Sequence, residues 1–383
     1  MRINPSDTVT LGRTGLRVTR LGLGMRPLGL LPVGQEATGR AIVHAAVRLG
    51  IRLLDTAPTY GNGESERRLG EVSADLPSSL VVSTKVGKVL GIGTPRRPAR
   101  VIIAETIAGG PAAAVRLSLK AARLVRGARV RGPRAPANPL VARVDYSYDG
   151  TMRSIEGSLS RIGSDRVDIV FIHDPDDHAE AAMAGAYRAL DRLRSDGTIA
   201  AVGIGTNRWQ PLLRMAQEGD FDCFLLAGRY SLLDQSALEE LLPMAQARGI
   251  SIIIGGVFNG GILADPRYAF FDYAPASEER MALARRLKEV CDRHGVDVKA
   301  AALQFPFGHP AVTSVLVGVA SVAELEEDER LAGTPVPTAL WEELRHDGLL
   351  AEAAPLPTGG RSQARQQGLI DRAVDGRKPA GPG

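Results

Sequence analysis

The chain has 383 residues, 44% of them hydrophobic and two of them cysteine: enough to bury a large core, and too few thiols for a disulfide framework. The formal net charge is +4, but segment 92–143 holds eleven Arg and Lys against the single acid Glu105, so the rest of the chain is net acidic. No apolar run approaches a membrane span and the N-terminus MRINPSDTVT lacks an apolar signal core, so a cytoplasmic protein is expected; the basic segment lacks interleaved aromatics, which leaves no specific nucleic-acid partner.

Residues 8–19 read as a hairpin, with Thr8 to Leu11 and Leu16 to Thr19 joined by a turn at Gly12 to Gly15. Leu21 to Gly24 reads as the first strand of a larger sheet, and Ala37 to Leu49 as the helix after it. Gly22 and Gly24 do not form a dinucleotide fingerprint, because the third glycine is misplaced; they suit a backbone passing close to a bound molecule. Further strands are predicted at 51–54, 80–84, 167–172, 200–205, 222–226, 250–255 and 313–317, with amphipathic stretches at 63–73, 150–161, 182–196, 236–248 and 278–294. Eight strands rich in Ile and Val, alternating with helices, argue an α/β fold of the (β/α)8 barrel type. An open doubly wound sheet is the competing architecture, but reactive residues follow strands two, three and four with no single switch point.

One piece breaks this rhythm. A long segment, about 90–143, separates Lys85 from the next core helix. Within it 111–127 has a helical pattern, with Arg116, Lys120, Arg123 and Arg126 close to one face, between Gly/Pro-rich stretches at 91–98 and 132–139. It reads as a basic, partly flexible insertion after strand three, peripheral to one barrel domain spanning 1–357. The tail 358–383 is Gly, Pro and charge, and reads as disordered.

Four titratable side chains fall at strand ends: Asp55 in LLDTAPTYG, Tyr60 in the loop after it, Lys85 in STKVG and His173 in IVFIHDPDD. Each has a plainer reading alone, as a turn cap, a loop aromatic, a solvated lysine and a satisfied loop histidine. On consecutive strands they converge on the C-terminal rim, where a barrel builds its site. Cys291 and His294 share a predicted helix but have no further ligands nearby in sequence, so no metal site is expected.

The set resembles the Asp-Tyr-Lys-His tetrad of the aldo-keto reductases. The runs GTNRW, DCFLLAGRYSLLDQ, IIIGGVFNGGILA and CDRHGVDVKAAALQFPFGHPAVTSVLVG are similar to the D-threo-aldose 1-dehydrogenase (L-fucose dehydrogenase) branch, over roughly 8–90 and 144–356. The resemblance implies an NAD(P)-dependent oxidoreductase acting on a small carbonyl or sugar, with Tyr60 as the proton-exchanging group, Lys85 tuning it, Asp55 pairing with Lys85 and His173 orienting the substrate oxygen. Physically, a phenol with pKa near 10 is a poor base at neutral pH until a nearby ammonium stabilises its phenolate. The resemblance also implies cofactor contacts from Gly24, Met25, Thr206, Asn207, Gly256, Val257, Phe258, Gly261, Gly318, Ala320, Glu324 and Asp328. Two superfamily positions depart: the Gln after strand six aligns with Ala227, and the Tyr that stacks on nicotinamide aligns with Gly255, leaving Phe258 as the candidate to pack the ring. No cation lies between His309 and Arg330, which favours NAD over NADP. The alternatives are a carbonyl reductase of specialised metabolism, a pyridoxal dehydrogenase-like enzyme and a non-catalytic cofactor-binding subunit. Oligomeric state is not legible.

Overall fold

The computed structural model describes residues 4–92, 140–265, 270–271 and 274–357. Eight parallel strands close into a barrel: β3 (Leu21–Gly24), β4 (Leu53–Asp55), β5 (Val81–Val86), β8 (Ile169–His173), β9 (Ala201–Thr206), β10 (Cys223–Ala227), β11 (Ser251–Gly255) and β14 (Val312–Val317), which pairs back onto β3. The hairpin of β1 (Thr8–Thr10) and β2 (Arg17–Thr19) plugs the bottom. Its Leu11 and Val18 join Leu53, Val81, Ile169, Phe171, Cys223, Leu225, Ile253 and Leu316 in the barrel interior, and the Gly12 N–H donates to Ser251 Oγ at 2.6 Å.

The interior set has a period of two along each strand, as a pleat requires. Leu53 and Asp55, Val81, Ser83 and Lys85, and Ile169, Phe171 and His173 therefore point the same way, apolar residues below and polar ones at the rim. The other parity packs outward against the helices, in a second core that includes Leu54, Val170, Ile172, Val202, Ile204 and Ile254. Gly203 is required here: a Cβ on it would lie 2.6 Å from Phe171 Cδ1.

Several expectations shift. Asp55, Lys85 and His173 lie within their strands rather than beyond them; β5 continues to Val86, which pairs with Ile172. The stretch 63–73 is helical over Glu64–Gly70, and 236–248 only over Leu241–Arg248, because Ser231 and Asp234 fold the preceding chain into turns. The helix at 182–196 opens with a π-helical segment, Ala182–Tyr187. The segment after strand three begins and ends in an antiparallel ribbon, β6 (Lys88–Ile92) with β7 (Leu140–Val144), which sequence periodicity missed. A small ribbon of β12 (Phe270–Phe271) and β13 (Ala274–Pro275) follows β11. The helix expected at 111–127 and the tail 358–383 lie outside the described residues. Among the described residues, no helix is long and apolar enough to cross a membrane.

Candidate active site

At the C-terminal rim, Lys85 Nζ lies 2.7 Å from both Asp55 carboxylate oxygens and donates to Thr56 O at 2.9 Å. Both side chains are buried, at 2% and 4% exposure. Ser83 Oγ donates to Asp55 Oδ1 at 2.7 Å, so two residues of the neighbouring strand β5 hold the carboxylate. The ammonium sits 4.8 Å from the Tyr60 ring centroid, close enough for its charge to act on the phenol. Burial pushes the Lys85 pKa down, but Asp55 and Tyr60 outweigh it and hold the group above its ordinary value. Lys85 is therefore an ammonium at neutral pH.

His173 closes the set, with its ring edge-on to Tyr60 and the centroids 6.1 Å apart. Burial drives its pKa down to about 3; Asp174 works against this, and Lys88, Lys85 and Arg26 add to it. The imidazole is neutral at physiological pH, and its Nδ1 is buried without a hydrogen-bond partner among the described residues. A neutral imidazole beside a phenol and a fixed ammonium can donate to an oxygen without competing for its proton.

Tyr60 stands on a loop gripped from the first strand. Met25 N–H donates to Asp55 O at 2.8 Å, and Ser65 Oγ donates to Met25 O at 2.9 Å while contacting Thr56 Oγ1 at 2.8 Å. The buried guanidinium of Arg68 donates to Leu28 O and Leu31 O, fixing the short helix Arg26–Leu30 against this loop. Gly29 is needed for the approach, since a Cβ there would lie 2.5 Å from Tyr60 O.

A cavity of about 260 Å³ is lined by Asp55 and Tyr60 together with Gly24, Gly318 and residues 255–261. Of the residues implied as cofactor contacts, Gly24, Asn207, Gly256, Val257, Phe258, Gly261 and Gly318 line it. Met25 does not: its side chain is 0% exposed in the core, because both its backbone groups are tied to the Tyr60 loop, and Arg26 and Pro27 line the wall instead. Thr206 Oγ1 donates to Asp176 Oδ1 at 2.7 Å and is turned to that loop. Ala320, Glu324 and Asp328 also stand outside the lining. Glu324 Oε2 accepts the Ala320 N–H at 2.8 Å, bracketing the start of the helix Val322–Ala332. Asp328 is buried and pairs with Lys299 at 3.1 Å; burial raises its pKa to about 6, against the pull of Lys299. Lys299 also pairs with Glu327 at 2.9 Å and lies over the Phe258 ring, 5.6 Å from its centroid. The segment after strand eight carries no cation before Arg330, and Lys299 comes to it from a different helix, Val298–Gln304.

Sequence reasoning also missed Arg26, Arg229 and Asn259 in the lining. Arg229 Nε donates to Asn207 O at 2.7 Å. Asn259, at φ 47°, donates to Gly228 O while its Oδ1 stays buried without a partner among the described residues. Bare glycine walls and an orphaned acceptor fit an extended ligand that carries hydroxyl or amide donors, as a nicotinamide dinucleotide does. Cys291 is buried and His294 pairs with Glu343 at 2.5 Å. No group of three metal-ligating side chains converges among the described residues.

Comparison with known proteins gives the family from a family model and from relatives in sequence, and the fold from solved structures. The model of the aldo/keto reductase family matches residues 20–345. A pyridoxal 4-dehydrogenase of Microbacterium luteolum is 39% identical, the match covering 92% of this chain and all of the relative. A D-threo-aldose 1-dehydrogenase of a Pseudomonas species is 33% identical over 90% and 96% of the two chains. Among solved structures, a glycerol dehydrogenase of Gluconobacter oxydans superposes with a TM-score of 0.66 at 20% identity, covering 92% of this chain and 98% of its own, which speaks to the fold.

Proposed function

We propose that this chain, which belongs to the aldo/keto reductase family, is a nicotinamide-dependent dehydrogenase that oxidises a cyclic hemiacetal to a lactone, with an aldose at C1 as the first substrate class. The observation that carries this reading is the Asp55–Lys85–Tyr60–His173 constellation at one end of a glycine-walled cavity. Enzymes of this family use nicotinamide cofactors; the chemistry the cofactor supplies is acceptance of the hydride from the hemiacetal carbon.

The chain's own residues do the rest. Tyr60, as phenolate, takes the proton of the anomeric hydroxyl. Lys85 stabilises the negative charge on the Tyr60 oxygen, and Asp55 keeps the ammonium in place. His173 donates to the same substrate oxygen and so fixes its orientation in the site. As the C–H electron pair and the O–H proton leave, the C–O bond becomes the lactone carbonyl.

A hemiacetal suits this site better than a free aldehyde. Oxidising an aldehyde first requires a hydroxyl or thiol on its carbon. The chain's two cysteines are both buried: the Cys223 thiol is pushed well up by burial, and that of Cys291 to about 12 by the same cause. A hemiacetal brings its own hydroxyl. Pyridoxal is the second substrate class, favoured by the relative at 39% identity; its aldehyde closes on the neighbouring hydroxymethyl group, so the chemistry is unchanged.

NAD is the favoured cofactor. Lys299 is held by Glu327 and Asp328, and Glu324 and Glu326 lie on the same helix. A 2′-phosphate would have to displace those pairs in a field of carboxylates.

A steady-state screen of NAD and NADP against aldoses and pyridoxal, with the lactone trapped as a hydroxamate, tests the reading. The matching 1-O-methyl glycoside, which lacks an anomeric hydroxyl, is inert. Tyr60→Phe retains cofactor affinity and loses on the order of 10²–10⁴ in rate. Normal turnover by Tyr60→Phe overturns the mechanism, and tighter binding of NADP at physiological salt overturns the cofactor assignment.

A further inference from the structure

The root of the basic insertion touches the rim of the site. Lys88, the first residue of β6, follows the strand that carries Lys85, and its Nζ lies 2.6 Å from Asp174 Oδ2. The same Asp174 oxygen lies 3.5 Å from His173 Nε2, beyond a good hydrogen bond. One carboxylate thus has two suitors, and the cation from the ribbon holds it.

The backbone makes this competition unavoidable. Asp174 is in the left-handed region at φ 45°, which a short polar side chain tolerates. Its N–H donates to Gly205 O at 2.9 Å, and Tyr146 OH bonds both His173 O and Asp174 O at 2.7 Å. The carboxylate cannot swing away with its backbone, so its side-chain partner decides where it points. Lys88 is equally fixed, because β6 and β7 pair in register from Lys88↔Val144 to Ile92↔Leu140.

We propose that Lys88 is a positioning residue that holds Asp174 away from His173 and so keeps the imidazole N–H available to the substrate oxygen. This rests on the reading of His173 given under Proposed function. Without Lys88 the half-exposed carboxylate turns to the imidazole, accepts its Nε2–H and favours its protonated form. The charged groups acting most on His173 are Asp174, Lys88, Lys85 and Arg26, of which Asp174 alone pulls toward protonation, and the Tyr60 phenol faces the ring from its loop in every variant compared. With Lys88 in place the cations and burial prevail.

The experiment measures, in the full-length chain with NAD, the His173 titration by imidazole ¹H–¹⁵N NMR and the pH profile of kcat/KM. It compares wild type, Lys88→Met, Lys88→Arg and the double variant Lys88→Met/Asp174→Asn. In Lys88→Met the His173 titration rises by about one pH unit or more and kcat/KM on the acid side falls on the order of tenfold. Lys88→Arg stays near wild type, and the double variant recovers both properties, because the competing carboxylate is gone. A purely structural salt bridge predicts the opposite, that the double variant is no better than Lys88→Met; that result, or a His173 titration unmoved by Lys88→Met, overturns the proposal. A titration that moves while turnover stays constant supports the linkage and overturns instead the assignment of His173 to the substrate oxygen. Should Lys88→Met fail to fold, Lys88→Gln carries the same comparison.

Discussion

Lys85→Met tests whether the buried ion pair is a structural necessity as well as part of the proposed chemistry. Met keeps most of the volume and removes the charge and three hydrogen bonds, two to Asp55 and one to Thr56 O. Both members of the pair are at most 4% exposed, so Asp55 is left as a buried carboxylate whose remaining side-chain donor among the described residues is Ser83. Removing one member of a buried pair costs about 3–5 kcal/mol, because the other charge loses its compensation. Removing both charges in Asp55→Asn/Lys85→Met costs less than the single change, a coupling that a double-mutant cycle reads directly. Urea denaturation at neutral pH provides the measurement, with unchanged m-values as the sign that the comparison is two-state. The pH dependence has a definite sign. The folded Lys85 pKa is raised, so its contribution is fully present below the unfolded value of about 10.4 and is lost only as pH rises through the higher folded value. The wild-type contribution of the Lys85 charge therefore stays flat from about pH 6 to 9. A Lys85→Met protein within about 1 kcal/mol of wild type, or a double variant costing as much as the summed singles, refutes this reasoning.

Gly29→Ala pushes a methyl against the Tyr60 carbonyl, so kcat falls roughly 10²-fold through displacement of the phenol while the barrel's circular dichroism is retained; an unchanged kcat shows that the loop yields without moving Tyr60. Burial lowers the His309 pKa to about 4 and that of His173 to about 3, so stability is full above the unfolded value near 6.5 and declines as pH falls, while Asp328, raised to about 6, opposes part of the decline. His309→Gln removes about one proton's worth of that acid-side slope, roughly 1.4 kcal/mol per pH unit, in denaturant titrations between about pH 4 and 6.5; an unchanged slope counts against a neutral buried His309. Replacing 93–139 with a short Gly/Ser bridge joins the paired ends of β6 and β7 and leaves a folded, cofactor-binding barrel; loss of cooperative unfolding shows that the segment belongs to the core.

The positions of the barrel strands were legible because each is a short run of branched apolar residues bounded by polar or glycine residues, and burial on both faces demands that composition whatever the neighbours are. Asp55, Lys85 and His173 could be placed together for a related reason: each lies at or within one residue of the end of a strand, and strand ends in a closed parallel barrel share one rim. The β6–β7 ribbon was not legible, since Lys88–Ile92 and Leu140–Val144 are far apart in sequence and the second carries Arg143, so neither run announces a partner. Met25 had the same difficulty in reverse. Its neighbours Gly24 and Arg26 line the cavity, and only the hydrogen bonds that Met25 donates to Asp55 O and accepts from Ser65 Oγ, with its full burial, show that it turns inward.

The sequence by itself determined a barrel with Asp55, Lys85 and His173 on strands that meet at one rim, because pleat parity and apolar patterning are local and repeat every two residues. Which charge meets which was decided only by the tertiary structure. Lys299 meets Asp328 because two outer helices pack side by side, and Lys88 meets Asp174 because the ribbon rises beside the end of β8. An ion pair is a matter of a few ångströms, and across such sequence separations that distance is set by barrel closure and helix packing rather than by anything written near either residue.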